Sequence, residues 1–260
     1  MLTVNQVEKS YTGGKLFSSK SKQVLHHISF TLEPGEVLGI IGESGSGKST
    51  LGRLLLGIEK PDRGTIQFEG RDIGERAGRK GKISAVFQDY TSSIHPFYSV
   101  EKAVAEPLKL QGRKHADIDH KIDRLLHEVG LDSSYRKKYP HELSGGQAQR
   151  VCIARAVSTD PQYILLDEAV SSLDASVQFQ ILELLKKLKE TYGMSYIFIT
   201  HDLQAAAYLC DRMMFIRSGH IEEIISARRL NEVQSEYAKA MLQMALRLTD
   251  SRDRKERIIL

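Results

Sequence analysis

Two cysteines in 260 residues leave no material for a disulfide framework. Cys152 and Cys210 lie far apart and form no C-x-x-C pair, so a metal site of that kind is not indicated either. They read as two small apolar side chains buried in a reducing compartment. Long apolar runs are also missing, since no stretch approaches the ~18 residues needed to cross a bilayer. The opening residues, Met1 to Gln6, lack the basic-then-apolar layout of a signal peptide. Nor is there much excess charge. Lys and Arg number 37 against 33 Asp and Glu, a net +4, which permits an acidic partner and does not demand nucleic acid. What remains is 41% hydrophobic and 27% charged, a balance that suits one soluble α/β domain or a domain with a sizeable insertion.

Against that background one stretch stands out. Gly42, Glu43, Ser44, Gly45, Ser46, Gly47, Lys48, Ser49 and Thr50 follow the apolar run Val37 to Ile41 and precede the Leu-rich run Leu51 to Leu56. The order is strand, glycine loop, helix, which is the context a phosphate-binding loop requires. Glycines let successive N–H groups point inward at phosphate oxygens, and the helix N-terminus adds partial positive charge. Lys48 would reach the β- and γ-phosphates, and the Ser49 hydroxyl would bind Mg²⁺.

The rest of the chain reads as an α/β core interrupted once. Residues 1–36 form a β-rich opening of short strands, with a polar loop from Thr12 to Lys22 and a turn at Pro34-Gly35. A strand over Thr65 to Phe68 precedes a charged surface loop, Asp72 to Lys82, and a strand from Ile83 to Phe87 ends in Gln88. From about 89 to 160 the pattern turns helical: Ile118, Ile122, Leu125, Leu126 and Val129 share one helical face. Near its end Ser144 is a natural N-cap, and Gly145 and Gly146 leave the N–H groups of that helix uncovered. Cap chemistry alone favours a plain capped helix there, with a second anion cradle as the other reading. Strand signals resume at Tyr163 to Leu166, followed by Asp167-Glu168, and at Tyr196 to Thr200, followed by His201. Met213 to Arg217 and Ile221 to Ile225 close the sheet, and Thr249 to Lys255 read as a solvated tail. His115, His120 and His127 fall in the helical insertion and read as surface histidines.

Each strand-end residue is weak evidence alone. In an open parallel sheet, however, all carboxyl ends share one rim. A phosphate cradle, the amide of Gln88, the carboxylates of Asp167 and Glu168 and the imidazole of His201 would therefore meet, as nucleoside triphosphate hydrolysis requires. Asp167 would hold Mg²⁺ directly or through water, and Glu168 would polarise the attacking water. Gln88 would orient water or touch the metal, and His201 would contact the γ-phosphate.

These residues resemble those of the ATP-binding subunits of ABC transporters, over about residues 1–247. The likeness includes the phosphate loop, a Q-loop at Gln88, the signature Leu143-Ser144-Gly145-Gly146-Gln147, the run Ile164 to Glu168, a D-loop at Ser172-Leu173-Asp174 and a switch His201. It implies a P-loop NTPase (RecA-like) core over 1–88 and 161–227, with an N-terminal antiparallel β-subdomain. It also implies an inserted α-helical subdomain over 89–160, a C-terminal helical extension over 228–247 and a charged tail over 248–260. By the resemblance two subunits pair head to tail, so that Ser144 to Gln147 and Asp174 close over ATP held by the partner. Tyr11 becomes the aromatic that stacks on adenine, with Phe17 as the competitor.

Within the family, Ala85 to Asp89, Ser92 to Pro96 and Glu236 to Leu242 are similar to the peptide/nickel importer branch. Ala169-Val170-Ser171 after Glu168, where most members carry Pro-Thr-Ser, together with Arg150 to Arg155, resembles the nickel and opine-metallophore importers. The implied partners are a second ATP-binding subunit, a paralogue by the branch resemblance, and two membrane permeases facing Gln88 to Tyr98. An extracytoplasmic substrate-binding protein would be an indirect partner. The implied location is the cytoplasmic face of the membrane. An oligopeptide importer is the alternative. A nucleic-acid ATPase is more remote because tandem cassettes, coiled coils and zinc cysteines are absent, and a small-molecule kinase leaves the signature without purpose.

Overall fold

The structure, a computed structural model, describes residues 1–12, 21–89, 93–171 and 173–245, without the side chains of 77 and 116. Phe17, Ser92, Ser172 and the tail over 248–260 lie outside the described residues.

A six-stranded sheet organises the molecule. Its spatial order is β10 (His220–Ser226), β9 (Arg212–Arg217), β3 (Val37–Ile41), β8 (Ser195–Thr200), β7 (Tyr163–Asp167), β6 (Ile83–Phe87). All neighbours pair in parallel except β10, which returns antiparallel from β9. The central strands are buried along almost their whole length, as apolar runs flanked on both faces must be. Alternation then sorts the side chains. Leu38, Ile40, Leu165, Ile197, Ile199 and Met214 point to one core, and Val37, Ile41, Leu166, Phe198 and Phe215 point to the other.

The first core is closed by α1 (Lys48–Leu55) and by a four-stranded antiparallel sheet in the order β2 (Ser21–Leu32), β1 (Leu2–Thr12), β4 (Arg63–Phe68), β5 (Arg71–Asp72). Leu2, Val4, Ile28 and Phe30 meet Leu51 and Leu55 there. The sequence reading of several short opening strands gives way to two long ones. β1 pairs with β2 through register shifts between Val4 and Val7, where Gln6 adopts a left-handed φ of 48°. That bulge breaks the alternation without breaking the strand. The surface loop expected over 72–82 also carries structure: β5 ends at Asp72, and α2 (Arg76–Arg79) docks by Arg79 Nη1 donating to Leu56 O at 2.7 Å.

The second core lies under the helices. These are α3 (Val100–Leu110), α4 (His115–Glu128), α5 (Gly145–Val157), α6 (Ala175–Tyr192) and α7 (Leu203–Leu209). Between 93 and 160 the described residues contain no strand. Arg136 knits that stretch together, pairing with Glu101, Asp119 and Asp123 at 2.8–3.1 Å. A short 3₁₀ turn (Ala227–Glu232) and a helical stretch over 236–245 return to the sheet, where Val233 and Ala238 are buried.

Candidate nucleotide site

Strand register is what assembles the site. Ile41 stands opposite Thr200, Asp167 opposite Ile199, and Phe87 opposite Asp167. The residues that follow these strands, Gly42, Gln88, Glu168 and His201, therefore leave the sheet side by side along one rim.

The loop after β3 turns sharply against β9. A Cβ on Gly42 would lie 2.2 Å from the Ile216 carbonyl, so no other residue fits. Gly47 occupies the N-cap of α1 at φ 105° with no side-chain cap, which leaves the first N–H groups of the helix without a side-chain partner. The Lys48 ammonium is nearly buried and folds back to donate to Gly42 O at 2.7 Å and Glu43 O at 2.8 Å. Burial lowers its pKa, while Glu168, Asp167 and Glu43 oppose that shift. A buried cation beside uncapped helix N–H groups suits an anion.

Across the cavity stand the acids. Burial, then the neighbouring Glu168, raises the Asp167 pKa against the pull of Lys48 and Arg53. Glu168 leaves its strand in a left-handed conformation, φ 52°, with its N–H donating to Ile199 O at 2.9 Å. That turn aims its carboxylate at His201, whose Nδ1 lies 2.8 Å away. Asp202 fixes the stretch behind the imidazole: its carboxylate caps α7 through Gln204 N and Ala205 N and accepts Gln178 Nε2 at 2.7 Å.

One cavity of about 390 Å³ collects these groups. Ser44, Gly45, Gly47, Lys48, Ser49 and Thr50 line one side, and Gln88, Asp167, Glu168 and His201 the other. Hydroxyl, amide and carboxylate oxygens from Ser49, Gln88 and Asp167 form a hard donor set of the kind Mg²⁺ takes beside a polyphosphate, so the residues fit that ion. Gly42, Glu43 and Ser46 shape the loop without lining the cavity.

The remaining expected residues stand elsewhere. Tyr11 is half-buried, its hydroxyl donating to Glu59 at 2.6 Å and accepting from Arg53 at 3.1 Å, and it does not line the cavity. Ser144 to Gln147 open α5 in a capping box: Ser144 Oγ accepts Gln147 N–H, and Gln147 Oε1 accepts Ser144 N–H. Gly146 abuts Val177 of α6, where a Cβ would come within 2.7 Å, so this helix start and that of α6 after Asp174 belong together. Neither Ser144 to Gln147 nor Asp174 reaches the cavity of its own chain. Sequence reading missed Val24, which lines the cavity from β2. Its backbone carbonyl would come within 3.1 Å of a Cβ on Gly47, and an apolar residue in an edge strand gives no advance sign of that contact.

Strand order, loop and cavity together define a P-loop nucleoside triphosphatase. The sequence profile of the ABC transporter family matches residues 25–171. The chain is 46% identical over 247 residues to the metal-staphylopine import system ATP-binding protein CntF of Staphylococcus aureus, covering 95% of this chain and 99% of that protein. It is 44% identical over 230 residues to the nickel import ATP-binding protein NikE of Rhodospirillum rubrum, covering 86% and 83%. Its fold matches the dimeric, post-hydrolysis ATP-binding cassette MJ0796 bound to ADP and Pi with a TM-score of 0.78 at 28% identity, covering 88% of this chain and 99% of that one. This chain belongs to the ABC transporter family and is an ATPase coupled to transport.

Proposed function

We propose that this chain is the ATP-hydrolysing subunit of an importer that takes up nickel or a metal–metallophore complex through separate permease subunits. The observation that carries the reading is the 46% identity to a metal-staphylopine import ATP-binding protein across nearly the whole of both chains. No helix among the described residues is long and apolar enough to cross a membrane, which fits a chain working at the cytoplasmic face against membrane partners. The exposed rings of Phe87, next to Gln88 in the chain, and Phe97, next to Tyr98, support a permease joint over Gln88 to Tyr98.

In this reading the loop Gly42 to Thr50 holds the triphosphate, and Lys48, whose ammonium gives one N–H each to Gly42 O and Glu43 O, reaches the β- and γ-phosphates with its third. Ser49, Asp167 and Gln88 would hold Mg²⁺, which when bound neutralises phosphate charge. Glu168 polarises the attacking water, and His201, paired with it, contacts the γ-phosphate. By the family resemblance Tyr11, which stands outside the cavity lining, or Phe17 would offer its ring to the base. Ser144 to Gln147 and Asp174, which stay clear of their own cavity, close over ATP on a paralogous partner. An extracytoplasmic substrate-binding protein would deliver cargo to the permeases. Catalysis is positioning and charge stabilisation.

Uptake tests the cargo directly. Cells carrying the wild-type chain should accumulate labelled nickel or metal–metallophore complex, and cells carrying Lys48→Ala should not. If Lys48-dependent uptake is found only for short peptides, the metal reading is wrong and the oligopeptide alternative stands.

A further inference from the structure

The helical stretch over 236–245 returns to the nucleotide loop, and one hydroxyl makes the link. Tyr237 is 8% exposed, and its oxygen accepts the Glu43 N–H at 3.1 Å. That N–H belongs to the Gly42–Glu43 peptide. The carbonyl of the same peptide, Gly42 O, accepts the Lys48 ammonium at 2.7 Å. A single peptide plane is thus gripped at both ends, by a cation on its oxygen and a phenol on its N–H. The cation polarises the amide and makes the N–H a stronger donor, so each bond strengthens the other.

The location gives the grip its importance. Gly42 brings the rotational freedom of a residue without Cβ to the first step of the loop, and something must remove that freedom before a triphosphate arrives. Tyr237 is well held for the task. The Arg217 guanidinium lies 5.3 Å from its ring centroid. The Glu223 carboxylate accepts Gln234 N–H and Ser235 N–H at 3.0 and 2.8 Å, fixing the turn that enters the helical stretch.

We propose that Tyr237 is a positioning residue for ATP binding: it orients the Gly42–Glu43 peptide, and through it Lys48, so that the loop meets the triphosphate already formed. It touches no reacting atom. The inference rests on the nucleotide-site reading above and extends it to a residue 194 positions further along the chain.

Tyr237→Phe deletes the hydroxyl and keeps the ring and its contact with Arg217. ATP affinity of the purified full chain is read by displacement of a fluorescent ATP analogue, alongside thermal melting of the nucleotide-free protein. The Kd for ATP should rise about three- to tenfold, the worth of one hydrogen bond. Val233→Ala serves as the comparison, since it loosens the same segment and leaves the hydroxyl. It should lower the melting temperature at least as much as Tyr237→Phe, with the Kd for ATP within about twofold of wild type. An unchanged Kd in Tyr237→Phe, or an equal rise in Val233→Ala, overturns the proposal. Wild-type protein that fails to bind the analogue overturns the nucleotide-site reading itself, an outcome the same titration distinguishes.

Discussion

Lys48, Glu168 and His201 make separate demands on the cavity, and substitution separates them. Lys48→Ala removes the buried ammonium, and ATP affinity should fall by at least ~100-fold, the scale of a lost charge-assisted contact, as read by equilibrium titration. Glu168→Gln keeps the shape and a hydrogen-bonding group opposite His201 but cannot draw a proton from water. Binding should survive while turnover drops by a factor of about 10² to 10⁴ in a phosphate-release assay. Normal turnover in that variant would remove Glu168 from its assigned role. The two thiols should be silent. Burial pushes Cys152 up to about 12 and Cys210 higher still. Thiolate is the reactive species, so a thiol reagent at neutral pH should label the native chain hardly at all and both positions after denaturation. At this scale most of the side chains that line the cavity were legible beforehand, because phosphate and metal chemistry each call for one kind of atom. The Glu168–His201 pairing at 2.8 Å was not, since it depends on a left-handed backbone turn at Glu168.

Elements show the opposite balance. The glycine loop and the strand before it could be read from the chain, because apolar runs and glycine spacing are local signals. The bulge in β1 could not, since only pairing with β2 defines it. In the proposed function Ser144 has two duties. Its hydroxyl caps α5, so Ser144→Ala should cost about 1 kcal/mol of stability in a denaturant melt. Ser144→Arg should leave ATP binding by the isolated chain nearly intact while blocking hydrolysis in the assembled pair, because the damage falls on the partner's nucleotide. Equal loss of binding in the isolated chain would count against the trans arrangement. Cap chemistry alone described the local bonds and could not decide for or against a partner, since a cap looks the same whether or not a second molecule meets it; only the family resemblance pointed to one.

For the whole molecule, nucleotide and partner should be coupled. ATP at about 100 times its Kd should stabilise the wild-type chain by ~2.7 kcal/mol in a thermal melt, and Lys48→Ala should lose that gain. Glu168→Gln with ATP should accumulate a complex with its partner cassette that light scattering resolves by mass, and that disperses when ATP is removed. The sequence alone determined which polar side chains follow the apolar strands and where the glycine loop lies, because hydrophobic period and glycine spacing are properties of neighbouring residues. Tertiary structure decided which of those groups meet. The order β3-β8-β7-β6 brings residues 42, 88, 168 and 201 onto one rim, and the return of Tyr237 to Glu43 spans 194 positions. Those choices are made by packing two faces of one sheet at once, an energy shared among distant segments that no local pattern encodes.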